Sequence, residues 1–288
     1  MAEISVKNLS KNFLGRKILN DINFELKENK IYGLLGRSGV GKSTLLNIMT
    51  DRILASNGTV QIDHHDVHNN TNLLQEMFLI NDDDHIFPKW MKVKEIFNNA
   101  NFAYGDFDFE EAHRLAEEFG INENIQLSKL STGLKTAVKI ICAFCVNAKF
   151  IFLDEPTLGL DANLRQIFYK ELMHTFTEHQ RTFVLATHLI EEIQNLLDEV
   201  LIVKDGILIC NSTVDDLLNR VVEISGPKDE IEKLDNQLDI YYQKSIGNIQ
   251  TAYVMGDTDQ LKFSKNITID HVDLQTAFIM LTRKKGGH

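Results

Sequence analysis

Gly36-Arg37-Ser38-Gly39-Val40-Gly41-Lys42-Ser43 is a complete G-x-x-x-x-G-K-[ST] phosphate loop. It follows the apolar run 31–35 and opens a helix-like run over 43–49. A strand before and a helix after is the context this loop needs. Glycines let consecutive backbone N–H groups curl around an anion, and the helix start adds partial positive charge. Lys42 is expected to reach β- and γ-phosphates, and the Ser43 hydroxyl to meet Mg²⁺. Gly36, Ser38, Gly39, Gly41, Lys42, Ser43 and Thr44 are thus the predicted nucleotide-holding set.

A second stretch, Phe150-Ile151-Phe152-Leu153-Asp154-Glu155, reads as a buried parallel strand that ends in two carboxylates. Ligands of open α/β sheets bind at such strand ends. Asp154 is expected to hold Mg²⁺ through its water shell, and Glu155 to polarise an attacking water. An acidic pair after a strand means little alone; the phosphate loop upstream gives it meaning.

Between the two lies Leu130-Ser131-Thr132-Gly133-Leu134, and after them Leu158-Gly159-Leu160-Asp161 and Ala186-Thr187-His188. With these segments the chain resembles the ABC ATPase family over roughly residues 1–220. Residues 130–134 look like the LSGGQ signature, with Thr132 for the first Gly and Leu134 for the Gln. Residues 159–161 look like the D-loop, and His188 like the switch histidine. Phe13 sits where the family places an aromatic that stacks on adenine. The resemblance implies two ATP molecules sandwiched between two subunits, with Ser131 and Gly133 meeting the γ-phosphate held by the partner. A Ser-x-Gly before a helix is itself an anion site. Leu134 cannot supply the amide of the usual Gln.

The family also places a Gln at a strand end between the phosphate loop and the signature, touching Mg²⁺. Here the strand 77–80 is followed by Asn81 and then Asp82-Asp83-Asp84. Asn81 is the expected metal contact, one methylene shorter than Gln. Asp82 is the rival, since a carboxylate is a good hard-metal ligand.

The 288 residues carry a net charge of −11, with 43% hydrophobic and 25% charged residues. These are globular values, and the acidic balance argues against nonspecific binding to nucleic acid or anionic lipid. No apolar run is long enough to span a bilayer, and the start lacks a signal-peptide pattern. Cytoplasmic placement on the inner membrane face, through a partner protein, is therefore expected. Cys142 and Cys145 fall on one apolar helix face and read as core packing. His64, His65 and His68 read as a solvated turn after a strand, with a weak metal site as the alternative.

The expected fold class is α/β: a P-loop NTPase with a RecA-like parallel sheet core. An antiparallel β subdomain is expected from the alternation in 4–9, 22–26 and 58–63. A helical signature subdomain is expected over about 82–145, with 109–119 a clear amphipathic helix. The loop 86–91 is unusually apolar, contains the lone Trp90, and lies where the family receives a coupling helix from its transmembrane subunit. Residues 221–283 read as a small α+β appendix for dimerisation or regulation. Strands are expected at 221–225, 241–246 and 251–255, and helices at 228–237 and 270–281. Residues 284–288 read as a disordered tail.

The resemblance therefore implies an ATP-hydrolysing subunit of an ABC exporter, with ATP and Mg²⁺ as ligands, a separate transmembrane permease, and a homodimer or a paired ATPase. The appendix and the Leu-Ser-Thr-Gly signature are similar to those of peptide, antibiotic and toxin exporters, the ATPases of phenol-soluble modulin export among them. Two other readings stand beside this one: a soluble ABC ATPase acting on ribosomes or DNA, and an inactive ATP-binding regulator. One phosphate loop, acidic charge and the absence of a coiled-coil insertion oppose the first. Glu155 and His188 oppose the second.

Overall fold

The computed structural model describes residues 3–81, 87–234, 239–256, 264 and 266–283. The chain begins with a hairpin of β1 (Glu3–Phe13) and β2 (Arg16–Lys27). Its two turn residues, Leu14 and Gly15, both have positive φ, at 45° and 84°, as a tight two-residue hairpin turn requires. Ile22, Phe24 and Leu26 alternate with exposed neighbours, so one face of β2 is buried and the other solvated. Next come β3 (Ile31–Leu35), buried at every residue, and α1 (Lys42–Met49). Strands β4 (Asn57–Ile62) and β5 (His65–Asp66) complete a four-stranded sheet in the order β2-β1-β4-β5.

The short α2 (Thr71–Leu74) leads into β6 (Met77–Ile80). Three helices follow, α3 (Val93–Tyr104), α4 (Phe109–Glu118) and α5 (Thr132–Cys145). On α4 the buried side chains are Ala112, Leu115 and Ala116, at the spacing of one helix face, and the Asp108 side chain caps its start. Cys142 and Cys145 are buried on α5, and burial pushes both thiols up. Trp90 is 66% exposed, so the apolar loop presents its largest ring to solvent. The ring nitrogens of His65 and His68 meet the Asp63 carbonyl and the Asp51 carboxylate, at 2.8 and 2.9 Å.

The chain then alternates through β7 (Phe150–Asp154), α6 (Ala162–His179), β8 (Thr182–Thr187), α7 (Ile190–Ile193), β9 (Glu199–Lys204) and β10 (Ile207–Thr213). The six-stranded sheet runs β10-β9-β3-β8-β7-β6. All its pairings are parallel except that of β10 with β9. Strands β3, β7 and β8 are buried throughout, as a sheet covered on both faces demands. This is the α/β class that the sequence predicts.

Beyond α8 (Val214–Arg220) lie β11 (Val221–Pro227), α9 (Lys228–Ile231), β12 (Asp239–Ile246), β13 (Ile249–Met255), β14 (Thr268–His271) and α10 (Leu274–Thr282). The strands form an antiparallel sheet ordered β12-β13-β11-β14. Two expectations need correction. The helix expected over 228–237 is α9 followed by a 3₁₀ turn at Glu232–Leu234, and 235–237 lie outside the described residues. The helix expected over 270–281 starts later, because Asp270 and His271 pair with Glu223 and Val222 as strand residues. Asp273 then caps α10 by accepting from the Thr276 N–H. The tail 284–288 also lies outside the described residues.

The last helix is not peripheral to the core. Leu274, Ala277, Phe278 and Leu281 share one apolar cluster with Ile190 and Ile193 of α7. Each large side chain so buried contributes about 1.5–3 kcal/mol. Gln275 Nε2 donates to Glu191 at 2.6 Å, and Lys204 Nζ donates to the Leu281 and Arg283 carbonyls at 3.0 and 2.8 Å.

Candidate functional site

Sheet register assembles the site. Leu35 pairs with Thr187, Asp154 with Ala186, and Ile80 with Leu153. The residues following these strands therefore leave the sheet along one edge. They are the phosphate loop after β3, Glu155 after β7, His188 after β8 and Asn81 after β6.

The loop between β3 and α1 is shaped by its glycines. Gly39 and Gly41 have φ of 76° and 112°, a region where a side chain is strained. A Cβ on Gly36 would stand 2.6 Å from Val40 and 2.9 Å from the Val203 carbonyl. Lys42 is buried, and its Nζ donates to the Gly36 carbonyl at 2.7 Å. Burial pushes the Lys42 ammonium down, while Glu155 and Asp154 pull it back up. Ser43 is exposed and Thr44 half-buried at the helix start.

Gly39, Gly41, Lys42, Ser43 and Thr44 line a cavity of about 340 Å³ together with Phe13, Arg16 and Ile18. The hairpin tip thus brings the predicted aromatic to the phosphate loop, with Phe13 45% exposed. Lys11 Nζ lies 4.6 Å from the centre of the Phe13 ring. The sequence reading missed Arg16 and Lys11. The signal for Arg16 is its pairing with Phe13 across the turn, which two consecutive positive-φ residues create.

Asp154 is buried at the end of β7. Glu155 follows with φ of 49°, and its N–H donates to the Ala186 carbonyl at 2.7 Å. That bond turns the carboxylate toward the end of β8. The Thr187 hydroxyl donates to Glu155 Oε2 at 3.0 Å and accepts from the Leu189 N–H at 3.1 Å. His188 Nδ1 meets both oxygens of the same carboxylate at 3.0 Å. Thr187 is a further residue the sequence reading did not single out.

Ser131, Gly133 and Asp161 form a second group. Ser131 caps α5 by accepting from the Leu134 N–H at 3.2 Å. Asp161 caps α6 by accepting from the Leu164 N–H at 2.9 Å. A Cβ on Gly133 would stand 2.7 Å from the Gly159 carbonyl, so the signature and the D-loop touch through bare backbone. None of the three residues lines the cavity at the phosphate loop. Asn81 is half-buried at the end of β6, and its carbonyl accepts from Lys139 Nζ on α5 at 3.1 Å. Asp82, Asp83 and Asp84 lie outside the described residues.

The Ser43 hydroxyl, the Asp154 carboxylate and the Asn81 amide are hard oxygen donors on segments that leave the sheet along this one edge. Such a set fits Mg²⁺, which keeps several waters and takes few protein ligands. The glycine cradle and the buried Lys42 fit a polyphosphate.

Residues 19–158 match the ABC transporter family. The chain is 27% identical over 221 residues to the ABC transporter ATP-binding protein YtrB of Bacillus subtilis (strain 168), covering 77% of this chain and 75% of that one. Its fold is similar to that of an ATP-binding subunit of an ABC transporter, with a TM-score of 0.68 and 23% identity over 74% of this chain and 91% of the other. It is also similar to a bacterial Atm1-family ABC exporter with ATP bound, with a TM-score of 0.65 and 21% identity over 75% of this chain and 39% of the exporter. Among the described residues no helix is long and apolar enough to cross a membrane. Over residues 19–158 the chain carries an ABC transporter ATP-binding domain, and that domain is an ATPase.

Proposed function

We propose that this chain is the ATP-hydrolysing subunit of an ABC exporter, working on the inner face of the membrane through a separate permease. The observation that carries the reading is the convergence of Lys42, Asp154, Glu155 and His188 at the ends of three adjacent strands. The phosphate loop and Lys42 hold the triphosphate, and Phe13 packs on the base. Ser43 and Asp154, with Asn81 as a further donor, would hold Mg²⁺, which would supply neutralisation of phosphate charge. Glu155 accepts a proton from the attacking water, and His188 and Thr187 keep its carboxylate aimed.

The signature group argues for two subunits. Ser131 and Gly133 do not line the cavity beside their own phosphate loop, which fits service to a nucleotide held by another subunit, in a homodimer or with a sister ATPase. ATP closes the pair, and hydrolysis reopens it, because only differential binding to the two states can do the mechanical work. Residues 1–220 form the ATPase domain in this reading, and 221–283 an appendix for dimer contact or regulation. The exposed Trp90 ring offers an apolar contact for the permease, since such patches mark interaction sites.

The appendix and the Thr132-containing signature favour export of a peptide, antibiotic or amphipathic toxin. The test is co-purification from membranes followed by ATPase assays in proteoliposomes. Association with a multispanning membrane protein that stimulates hydrolysis, and loss of both on Trp90→Asp, is the expected result. A chain that hydrolyses ATP but associates with no membrane protein overturns the transporter reading.

A further inference from the structure

The C-terminal appendix holds a second cavity, of about 230 Å³, far in sequence from the phosphate loop. One wall is the sheet: Tyr242 and Lys244 lie two residues apart on β12, and Tyr253 faces Tyr242 from β13. The two tyrosine rings stack with centres 5.8 Å apart. The other wall is Thr276, Ile279 and Met280 of α10, with Arg283 just past the helix end. Thr276, Ile279 and Met280 are three and four residues apart and form one helix face. The opposite face, with Leu274, Phe278 and Leu281, packs on the ATPase core.

The charges are specific. The Arg283 guanidinium lies 4.0 Å from the Tyr242 ring centre, and Lys244 Nζ lies 5.5 Å from that of Tyr253. Lys244 donates to the Tyr253 hydroxyl at 3.2 Å, and that hydroxyl bonds to Glu223. Two cations facing one carboxylate leave a single net positive charge. Ile279 is 47% exposed at the mouth, an apolar surface that water covers poorly. The volume is below the ~300–1,000 Å³ of drug-sized sites, which limits the occupant to one ring or a short chain.

We propose that this cavity binds a small monocarboxylate with an aromatic or short alkyl body. The carboxylate pairs with the fork of Arg283 and with Lys244, and charge-assisted pairing of this kind outweighs the cation–ring contacts it displaces. The apolar body covers Ile279, Met280 and the tyrosine rings. A dianion such as phosphate is disfavoured by Glu223. The proposal does not depend on export or on the identity of the permease.

The test is calorimetric titration of the full chain with phenylacetate, with ADP saturating the phosphate loop. Phenylacetamide and inorganic phosphate serve as controls. Phenylacetate is expected to bind at millimolar or lower concentration. The amide and Arg283→Gln are each expected to weaken binding about tenfold or more, the loss of one charge-assisted contact. Lys244→Gln is expected to weaken it less, and Arg16→Gln, at the nucleotide cavity, not at all. Thermal melting confirms that each variant is folded. No binding to the parent protein, equal binding of acid and amide, tighter binding of phosphate, or full affinity in Arg283→Gln would each overturn the proposal.

Discussion

His188 Nδ1 lies 3.0 Å from each carboxylate oxygen of Glu155. The carboxylate also accepts from Thr187, so two consecutive residues at the end of β8 fix the side chain that follows β7. Glu155→Gln keeps the shape and loses the carboxylate proposed as the base. Steady-state phosphate release is expected to fall by ~10²–10⁴-fold, the usual loss for a general base. ATP binding measured by calorimetry should persist, and the variant should run as a closed dimer in ATP. Unchanged turnover would remove Glu155 from the chemistry.

Lys42 is a buried ammonium that burial pushes below the ordinary lysine range. The unfolded chain therefore holds a proton more tightly at this site than the folded one. Stability at this site rises with pH as the folded group deprotonates, up to the ordinary lysine value, because the unfolded state binds more protons there. Lys42→Met removes that cost. The nucleotide-free protein should melt at the same temperature or higher, while the increase in melting temperature on adding ATP should vanish. A variant that still gains stability from ATP would show that Lys42 is not its phosphate contact.

Phe13 meets the cavity with its ring and has Lys11 beside it. Among the described residues no side-chain amide or carboxylate lines that cavity, so the proposed stacking of Phe13 on the base would be open to every purine. Phe13→Ala should weaken ATP and GTP equally, by ~1–3 kcal/mol on the scale of base–aromatic stacking. Competition binding against a fluorescent nucleotide measures both. Loss of ATP affinity alone would assign base reading to another group.

The loop, the acidic strand end and the Ala-Thr-His strand end at His188 are legible as local patterns of contiguous residues. Their convergence is legible too, since buried parallel strands deliver their ends to one edge. Contacts created by tertiary approach were hidden. Arg16 reaches the cavity only because Leu14 and Gly15 both turn with positive φ, and nothing in the spelling Phe-Leu-Gly-Arg demands that Leu14 do so. Asp270 and His271 read as helix because apolar residues recur at helical spacing just after them. Pairing with β11 overrides that local preference, as packing commonly does for short segments. The docking of α10 on α7 is equally invisible, because an apolar helix face does not name its partner.

The contact between Gly133 and Gly159 yields the sharpest separation of binding from turnover. A Cβ on Gly133 would stand 2.7 Å from the Gly159 carbonyl, and one on Gly159 3.1 Å from Thr132 Cγ2. The first obstacle is backbone, which cannot swing aside as a side-chain tip can. Gly133→Ala must therefore push the signature away from the D-loop, at a cost of about 1–3 kcal/mol typical of overpacking. Neither residue lines the cavity at the phosphate loop, so ATP affinity of the isolated chain should stay within about twofold, since distant sites act nearly independently. Turnover should fall about tenfold or more, because a displaced Ser131 would lose the proposed contact with the partner's γ-phosphate, and misplacement by about 1 Å is enough for that. Calorimetry and steady-state phosphate release on the same preparation decide it. Equal losses in both would mean that the signature acts within its own subunit's site, and no loss in either would mean that the two loops part without consequence.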